Sequence, residues 1–242
     1  MMRVAGFAVI AIALHAGPGL AAEAKQRTFS SPEQAAEALF VAVQRGDEKA
    51  LSQLFAGDTE ILSGGDEIQD ARDRRTFLAK YREMHRTARE NGLTVLYVGA
   101  ENWPFPIPLA FRDGSWFFDT QNGREEIVLR RIGQNETAVI DLCWSLGGSE
   151  QANSAAVPGN TVPLDGYYFR KIPGNRASYV AYPAEYGSSG IMTFVVGPGN
   201  VVYERDLGPE TAKLASTVKY PVDGSWQTVQ QVDFDRPARP LD

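Results

Sequence analysis

The sequence predicts an α+β protein: N-terminal helices with a curved antiparallel sheet, and then a long helix leading into a second antiparallel sheet. Three observations predict this class. Apolar residues recur at helical spacing early in the chain, β-rich runs bounded by turn residues begin near residue 93, and further β-rich runs follow a second helical pattern. A content of 43% hydrophobic and 22% charged residues is ordinary for a globular protein and excludes wholesale disorder.

Residues 1–24 have the pattern of a secretory signal peptide. Arg3 supplies the positive end, residues 4–14 form an apolar run, and Ala22 and Ala24 fit the small-residue cleavage rule. The apolar run is about half of the roughly 20 residues that a membrane span needs. We therefore expect cleavage near Lys25 and a soluble mature chain, periplasmic or secreted, without a membrane span.

The first mature module, residues 28–120, opens with a well-marked helix. Ser31 is placed to cap it and Gln34 completes a capping box. Gly46 ends this helix, and a second short helix follows Asp47.

A third helix is predicted over residues 70–90. Its apolar side would contain Leu78, Tyr81, Met84, His85 and Ala88, and a basic stripe on it would contain Arg82, Arg86 and Arg89.

Strands are predicted from residue 93 onward. Residues 93–98 form a β-rich run, whereas three prolines within 103–108 restrict that stretch to an extended edge or a crossing segment. Asp113 and Gly114 lie between residues 109–111 and 116–118, which is a strong hairpin signal.

The second module, residues 121–232, begins with a helix predicted over 123–146 and entered through Asn122. Residues 147–165 are rich in Gly, Ser, Asn and Pro and indicate a linker or mobile loop. Strands are predicted at 167–172, 178–182, 191–196 and 201–205, a short helix ends near 216, and residues 233–242 form a loose tail.

Composition excludes several classes of function. The net charge of −6 gives no general attraction for nucleic acid, and the single cysteine excludes a disulfide within the chain. With two histidines, one of them inside the signal peptide, the chain lacks the ligands of a structural zinc site, so no metal and no cofactor is expected. Cys143 shares a helical face with apolar residues, which favours a buried free thiol over a reactive one.

Three residues are candidates for catalysis. His85 is either a hydrogen-bonded structural residue or a general base. Asp119 either acts as a base at the mouth of a pocket, with a raised pKa, or caps the following helix. Glu185 either takes part in sugar or peptide recognition or forms an ion pair with Arg205.

Aromatic residues are the candidates for ligand binding: Trp103, Trp116 and Tyr186. Trp103 and Trp116 belong to a cluster with Phe105 and Phe118. This cluster either lines a pocket or forms the core of the first module, and the usual burial of large aromatic residues favours the core.

The chain also resembles known families. The stretches 38–40, 44–47 and 51–55 read ALF, QRGD and LSQLF, and they resemble the opening of nuclear transport factor 2-like domains, which implies a curved sheet wrapped by helices. Further blocks, in order along the chain, are WPFPIP (103–108), WFFDT (116–120), GREEI (123–127), RRIGQNE (130–136), GYYFR (166–170), YPAEYG (182–187), GIMTFVV (190–196) and VYERDLG (202–208). Together they resemble the bacterial exported family catalogued as domain of unknown function 2950, a resemblance that implies no biochemical role.

The leading hypothesis for function is therefore a non-catalytic binding or envelope-assembly module. Export, combined with the scarcity of catalytic residues, motivates it, and an envelope protein is one conceivable partner. The competing hypothesis is an envelope hydrolase or isomerase that uses a pocket carboxylate, because curved-sheet folds host both enzymes and binders.

Overall fold

The structure is a computed structural model that describes residues 26–58, 61, 67–90, 92–147, 162–174 and 178–230. The predicted signal peptide, the predicted loose tail and residues 148–161 of the predicted loop lie outside this part of the chain. The contacts divide the chain into two compact units, Met1–Leu129 and Arg130–Asp242. Each unit is described by itself below.

The first unit begins with two capped helices, as predicted. Helix α1 spans Pro32–Arg45; Ser31 Oγ accepts a hydrogen bond from the backbone of Gln34, and Gly46 ends the helix in the left-handed conformation. Helix α2 spans Glu48–Leu54, and Asp47 caps it by accepting from the backbone N–H of Ala50 at 2.9 Å.

The prediction of a third helix over residues 70–90 is wrong for its last third. Helix α3 spans Glu67–Glu83 and is followed by strand β1, His85–Glu90. Strand β1 pairs along its whole length with strand β2, Leu93–Val98, from His85 opposite Val98 to Glu90 opposite Leu93. The stretch 85–90 has a strong apolar pattern neither at helical spacing nor at the two-residue alternation of a strand. Its pairing with the largely buried strand β2 therefore decides its conformation. The predicted basic stripe is consequently split between a helix and a strand.

The first sheet is antiparallel with the strand order β1-β2-β4-β5, and a short β3 pairs with the end of β2. Strand β3 is Trp103–Pro104, β4 is Leu109–Arg112 and β5 is Ser115–Phe118. The proline-rich stretch is thus a two-residue edge piece, as its missing donors require. Asp113 and Gly114, at φ 52° and 76°, form the predicted hairpin turn.

The core of the first unit lies between this sheet and helices α1–α3. Its fully buried side chains include Leu39, Phe55, Leu96, Phe105 and Phe118. Trp103 and Trp116 are partly buried and pack against the same core.

Helix α4 spans Thr120–Gly147 and begins three residues earlier than predicted. The cap is Asp119 rather than Asn122: the Asp119 carboxylate accepts hydrogen bonds from the backbone and side-chain nitrogens of Asn122, at 3.2 and 2.7 Å. Acidic and amide side chains are both good caps, and the end of β5 at Phe118 places the turn at Asp119.

The second unit contains an antiparallel sheet with the strand order β10-β9-β8-β7-β6. These strands and the short helix α5 have the following bounds: β6 Tyr167–Lys171, β7 Tyr179–Pro183, β8 Met192–Val196, β9 Val202–Asp206, α5 Thr211–Ala215 and β10 Gln227–Thr228. The first four strands were predicted, and β10 was not. The fold class is therefore confirmed: helices with two antiparallel sheets, and a long helix between them in the chain.

Both faces of the second sheet are covered. Val139, Cys143 and Leu146 of α4 pack on one face, and Ala215 of α5 packs with Val180 and Val195 on the other. Cys143 is fully buried, as its predicted apolar face requires. Among the described residues, none of the helices is long and apolar enough to cross a membrane.

Candidate functional site

A groove of about 720 Å³ lies in the first unit between helix α1, the end of helix α3 and strands β1 and β2. We call it the His85 groove. The lining residues that carry chemistry are Glu33, Glu37, Phe40, Tyr81, His85 and Thr87, and the fully buried Leu96 also borders it. The sequence analysis singled out only His85 as a functional candidate among them.

Three rings from three elements form a column along the groove. Phe40 of α1 stacks on Tyr81 of α3, with ring centroids 4.6 Å apart and planes inclined by 17°. Tyr81 in turn stacks on His85 of β1 at 3.9 Å and 8°. The guanidinium of Arg82 lies over the Phe40 ring at 5.3 Å. The exposed His85 forms one end of the column.

The position of the proton on His85 follows from its hydrogen bond. Nδ1 of His85 lies 2.9 Å from the backbone carbonyl oxygen of Tyr81. A carbonyl can only accept, so Nδ1 must carry the hydrogen and donate it. In the neutral ring, Nε2 then presents a lone pair and acts as an acceptor.

Two carboxylates of α1 stand one helical turn apart beside this column. Glu33 Oε1 accepts a hydrogen bond from Thr87 Oγ1 at 2.7 Å, and this bond holds the pKa of Glu33 below its usual value. Burial, together with the negative charge of Glu37, raises the pKa of Tyr81 to about 12. The charge of Glu37 therefore acts on the Tyr81 hydroxyl within the groove.

The strand register directs the neighbouring cation away from the groove. His85 and Thr87 lie opposite Val98 and Leu96, on the face of the sheet that turns toward the helices. Arg86 also borders the groove, but its side chain lies on the other face. There its guanidinium stacks over Tyr97 at 4.4 Å and its Nε donates to Asn102 Oδ1 at 2.9 Å.

The comparisons with known proteins give a family. Residues 26–154 and 174–229 match the family described as protein of unknown function (DUF2950). The chain belongs to this family. No curated protein and no solved structure matches the chain.

In this member of the DUF2950 family, the other predicted catalytic candidates do not line the His85 groove. Asp119 is the N-cap of α4, with both carboxylate oxygens bonded by Asn122. Glu185 is exposed in a tight loop, where its carbonyl accepts from the backbone of Ser188 and Ser189.

The predicted ligand-binding residues also have structural partners. Tyr186 donates its hydroxyl hydrogen to Asp206 Oδ2 at 3.2 Å. Arg205, the proposed partner of Glu185, donates instead to Ser225 Oγ at 2.6 Å. Trp103 and Trp116 contribute to packing of the first core and do not border the groove. In the part of the chain that the structure describes, no group of His, Cys, Asp or Glu could hold a metal ion.

The sequence analysis missed Glu33, Glu37, Phe40 and Thr87. The first three follow each other at spacings of four and three residues, so one face of the confirmed helix α1 contained the signal. Thr87 was hidden because the stretch 85–90 was predicted as helix, which would have placed it on a different face from His85.

Proposed function

We propose that this member of the DUF2950 family is an exported, non-catalytic binding protein that takes a small ligand in the His85 groove. The observation that carries this proposal is the stacked column of Phe40, Tyr81 and His85 beside two carboxylates in a groove of about 720 Å³. Sites for small molecules are typically concave, about 300–1,000 Å³ in volume, and lined by aromatic residues with a few placed polar groups.

The hydrogen bonds favour binding over catalysis. A general base needs a nucleophile or water that it can deprotonate, and the nearby hydroxyl of Thr87 donates to Glu33 instead of to His85. Glu33 itself has a lowered pKa, which makes it a weak base at neutral pH. The predicted hydrolase or isomerase with Asp119 or Glu185 as pocket carboxylate has no comparable support from the geometry.

Export is supported by the signal-peptide pattern of residues 1–24. The resemblance of the blocks along the chain to a bacterial exported family agrees with this location.

The test is native mass spectrometry of the mature protein purified gently from its own source. We expect a bound small molecule that is lost in His85→Ala, because this exposed ring ends the column and its removal should leave the fold intact. Arg89→Ala, in the same strand and also exposed, is the matched control and should keep the ligand.

Two results would contradict the proposal. One is a ligand that remains bound equally well in His85→Ala. The other is chemical conversion of the eluted ligand when it is returned to the purified protein, which would make the protein an enzyme.

A further inference from the structure

We infer that the ligand of the His85 groove carries a positively charged amine, either an ammonium or a guanidinium group, held between Glu33 and Glu37 beside the aromatic column. This inference rests on the proposed function and names the chemical class of the ligand.

The first step is the sign of the charge. Glu33 and Glu37 stand four residues apart on α1 and both line the groove. The cations nearby are engaged with other groups: Arg86 stacks over Tyr97, and Arg82 lies over the ring of Phe40. The two carboxylates therefore make this part of the groove negative, and charge complementarity favours a cation.

The second step is the balance of hydrogen-bonding groups. When ionised, Glu33 and Glu37 can only accept hydrogen bonds, and in the neutral imidazole whose Nδ1–H donates to the Tyr81 carbonyl, Nε2 of His85 is a third acceptor. A ligand that satisfies these groups must bring several donors. An ammonium group has three and a guanidinium has five, whereas a carboxylate has none.

The third step is the apolar surface. The ring column leaves the outer face of His85 exposed, and a flat ligand body can continue the stack there. Aromatic faces also attract a cation directly, as Arg82 already shows on Phe40. A ligand with an aromatic or other flat body and an amine on a short arm fits all three features.

The experiment compares three probes of the same shape by calorimetry on the mature protein at low ionic strength: tryptamine, a cation; indole-3-ethanol, which is neutral; and indole-3-acetate, an anion. We expect tryptamine to bind most tightly and indole-3-acetate most weakly. The double variant Glu33→Gln/Glu37→Gln should weaken tryptamine binding about tenfold and leave the neutral probe almost unchanged.

A matched control removes the same two charges elsewhere. Glu48→Gln/Glu125→Gln changes two exposed carboxylates outside the groove and should keep the affinity for tryptamine. Equal loss in both double variants would assign the effect to net charge and overturn the inference.

Two other results would also overturn it: tighter binding of indole-3-acetate than of tryptamine, or no binding of tryptamine. In either case the proposed binding function is judged separately, by the native mass experiment with His85→Ala. The failure of the ligand class and the failure of the function are thus distinguishable.

Discussion

Tyr81 lies at the centre of the aromatic column that lines the His85 groove. It stacks between Phe40 and His85, and its side chain is almost completely buried. Burial penalises the charged tyrosinate and the carboxylate of Glu37 repels it, so both raise the pKa of the hydroxyl. The titration of this single group therefore reports on the electrostatic potential in the His85 groove.

We predict that Glu37→Gln lowers the pKa of Tyr81 from about 12 while leaving it above the ordinary value of 10.0. The charge is removed, but the burial that makes the larger contribution remains. Carbon-13 NMR of labelled tyrosine measures this pKa. Glu48→Gln is the control and should not change it; an unchanged pKa in Glu37→Gln would place the Glu37 carboxylate away from the ring.

The same shift has a consequence for stability at high pH. The folded state holds the Tyr81 proton more tightly than the unfolded chain does, so this contribution is complete below pH 10 and is lost as the pH rises through about 12. Urea unfolding should therefore give a lower free energy of unfolding at about pH 11 than at about pH 9. The decrease between the two pH values should be smaller in Tyr81→Phe than in the wild type.

Cys143 is predicted to be chemically inert. Its side chain is fully buried, and burial raises the pKa of the thiol to about 12. Because the thiolate is the reactive form, iodoacetamide should label the native protein very slowly and the urea-unfolded protein rapidly. Rapid labelling of the native protein would contradict the burial of this residue.

At the scale of the elements, Glu136 connects helix α4 to strand β8. Its Oε1 accepts hydrogen bonds from the backbone N–H groups of Ile191 and Met192, at 2.9 Å each, and from the hydroxyl of Tyr167 at 3.2 Å. A single carboxylate oxygen thereby satisfies two backbone donors at the start of β8. This contact fixes the helix on the sheet more specifically than apolar packing alone can.

We predict that Glu136→Ala destabilises the protein by about 1–3 kcal/mol, because it leaves these partly buried donors without an acceptor. Glu136→Gln keeps an acceptor oxygen and should cost less. Asp141→Ala, at an exposed position of the same helix, is the control and should stay within about 0.5 kcal/mol of the wild type. Urea unfolding measures the stability of all three variants. Similar stability of Glu136→Ala and Asp141→Ala would show that the hydrogen bonds of Glu136 do not stabilise the fold.

Two glycines of the second unit should respond to alanine in opposite directions. Gly133 lies inside α4, where an added Cβ meets nothing within 4 Å, so Gly133→Ala should stabilise by about 0.5–1 kcal/mol. At Gly190 an added Cβ would lie 2.0 Å from the hydroxyl oxygen of Tyr167, a buried residue, so Gly190→Ala should destabilise by about 1–3 kcal/mol. Thermal unfolding compares the two; stabilisation by Gly190→Ala would contradict the packing around Tyr167, and destabilisation by Gly133→Ala would contradict the open space at Gly133.

At the scale of the whole molecule, the chain consists of two units that each have a sheet and a core of their own. The first core lies between a sheet and three helices, and the second sheet is covered on both faces. The groove belongs entirely to the first unit. The second unit carries predicted candidates, Glu185 and Tyr186, whose function stays a prediction.

The predicted export is also a property of the whole chain. Expressed from residue 1 in a Gram-negative bacterium, the protein should appear in the periplasmic fraction with its N-terminus at or near Lys25, as mass spectrometry will show. A chain that lacks residues 1–24 is the control and should stay in the cytoplasm. Recovery of the uncleaved full-length chain from the cytoplasm would contradict export.

Much of the fold could be predicted because its signals are local. Ser31 caps the start of α1 and Gly46 ends the helix through local interactions alone. The Asp113-Gly114 pair forms a hairpin turn that depends only on the two strands beside it. The candidate site was predicted far less completely. His85 was singled out because it is the only histidine after the predicted signal peptide, but Phe40, which stacks on the other side of the column from it through Tyr81, lies 45 residues away in the sequence.

The sequence by itself determined the α+β class, the caps of α1 and α2, the hairpin, most strands and the family, since each depends on a short-range pattern or on the order of the sequence blocks. Only the tertiary structure decided that residues 85–90 form a strand, that Asp119 caps α4, and that Glu33, Glu37, Tyr81 and His85 meet in one groove. The physical reason is that a segment with a weak pattern of its own takes the conformation that its partner stabilises. Here that partner is the buried strand β2, and its register determines which side chains face the groove.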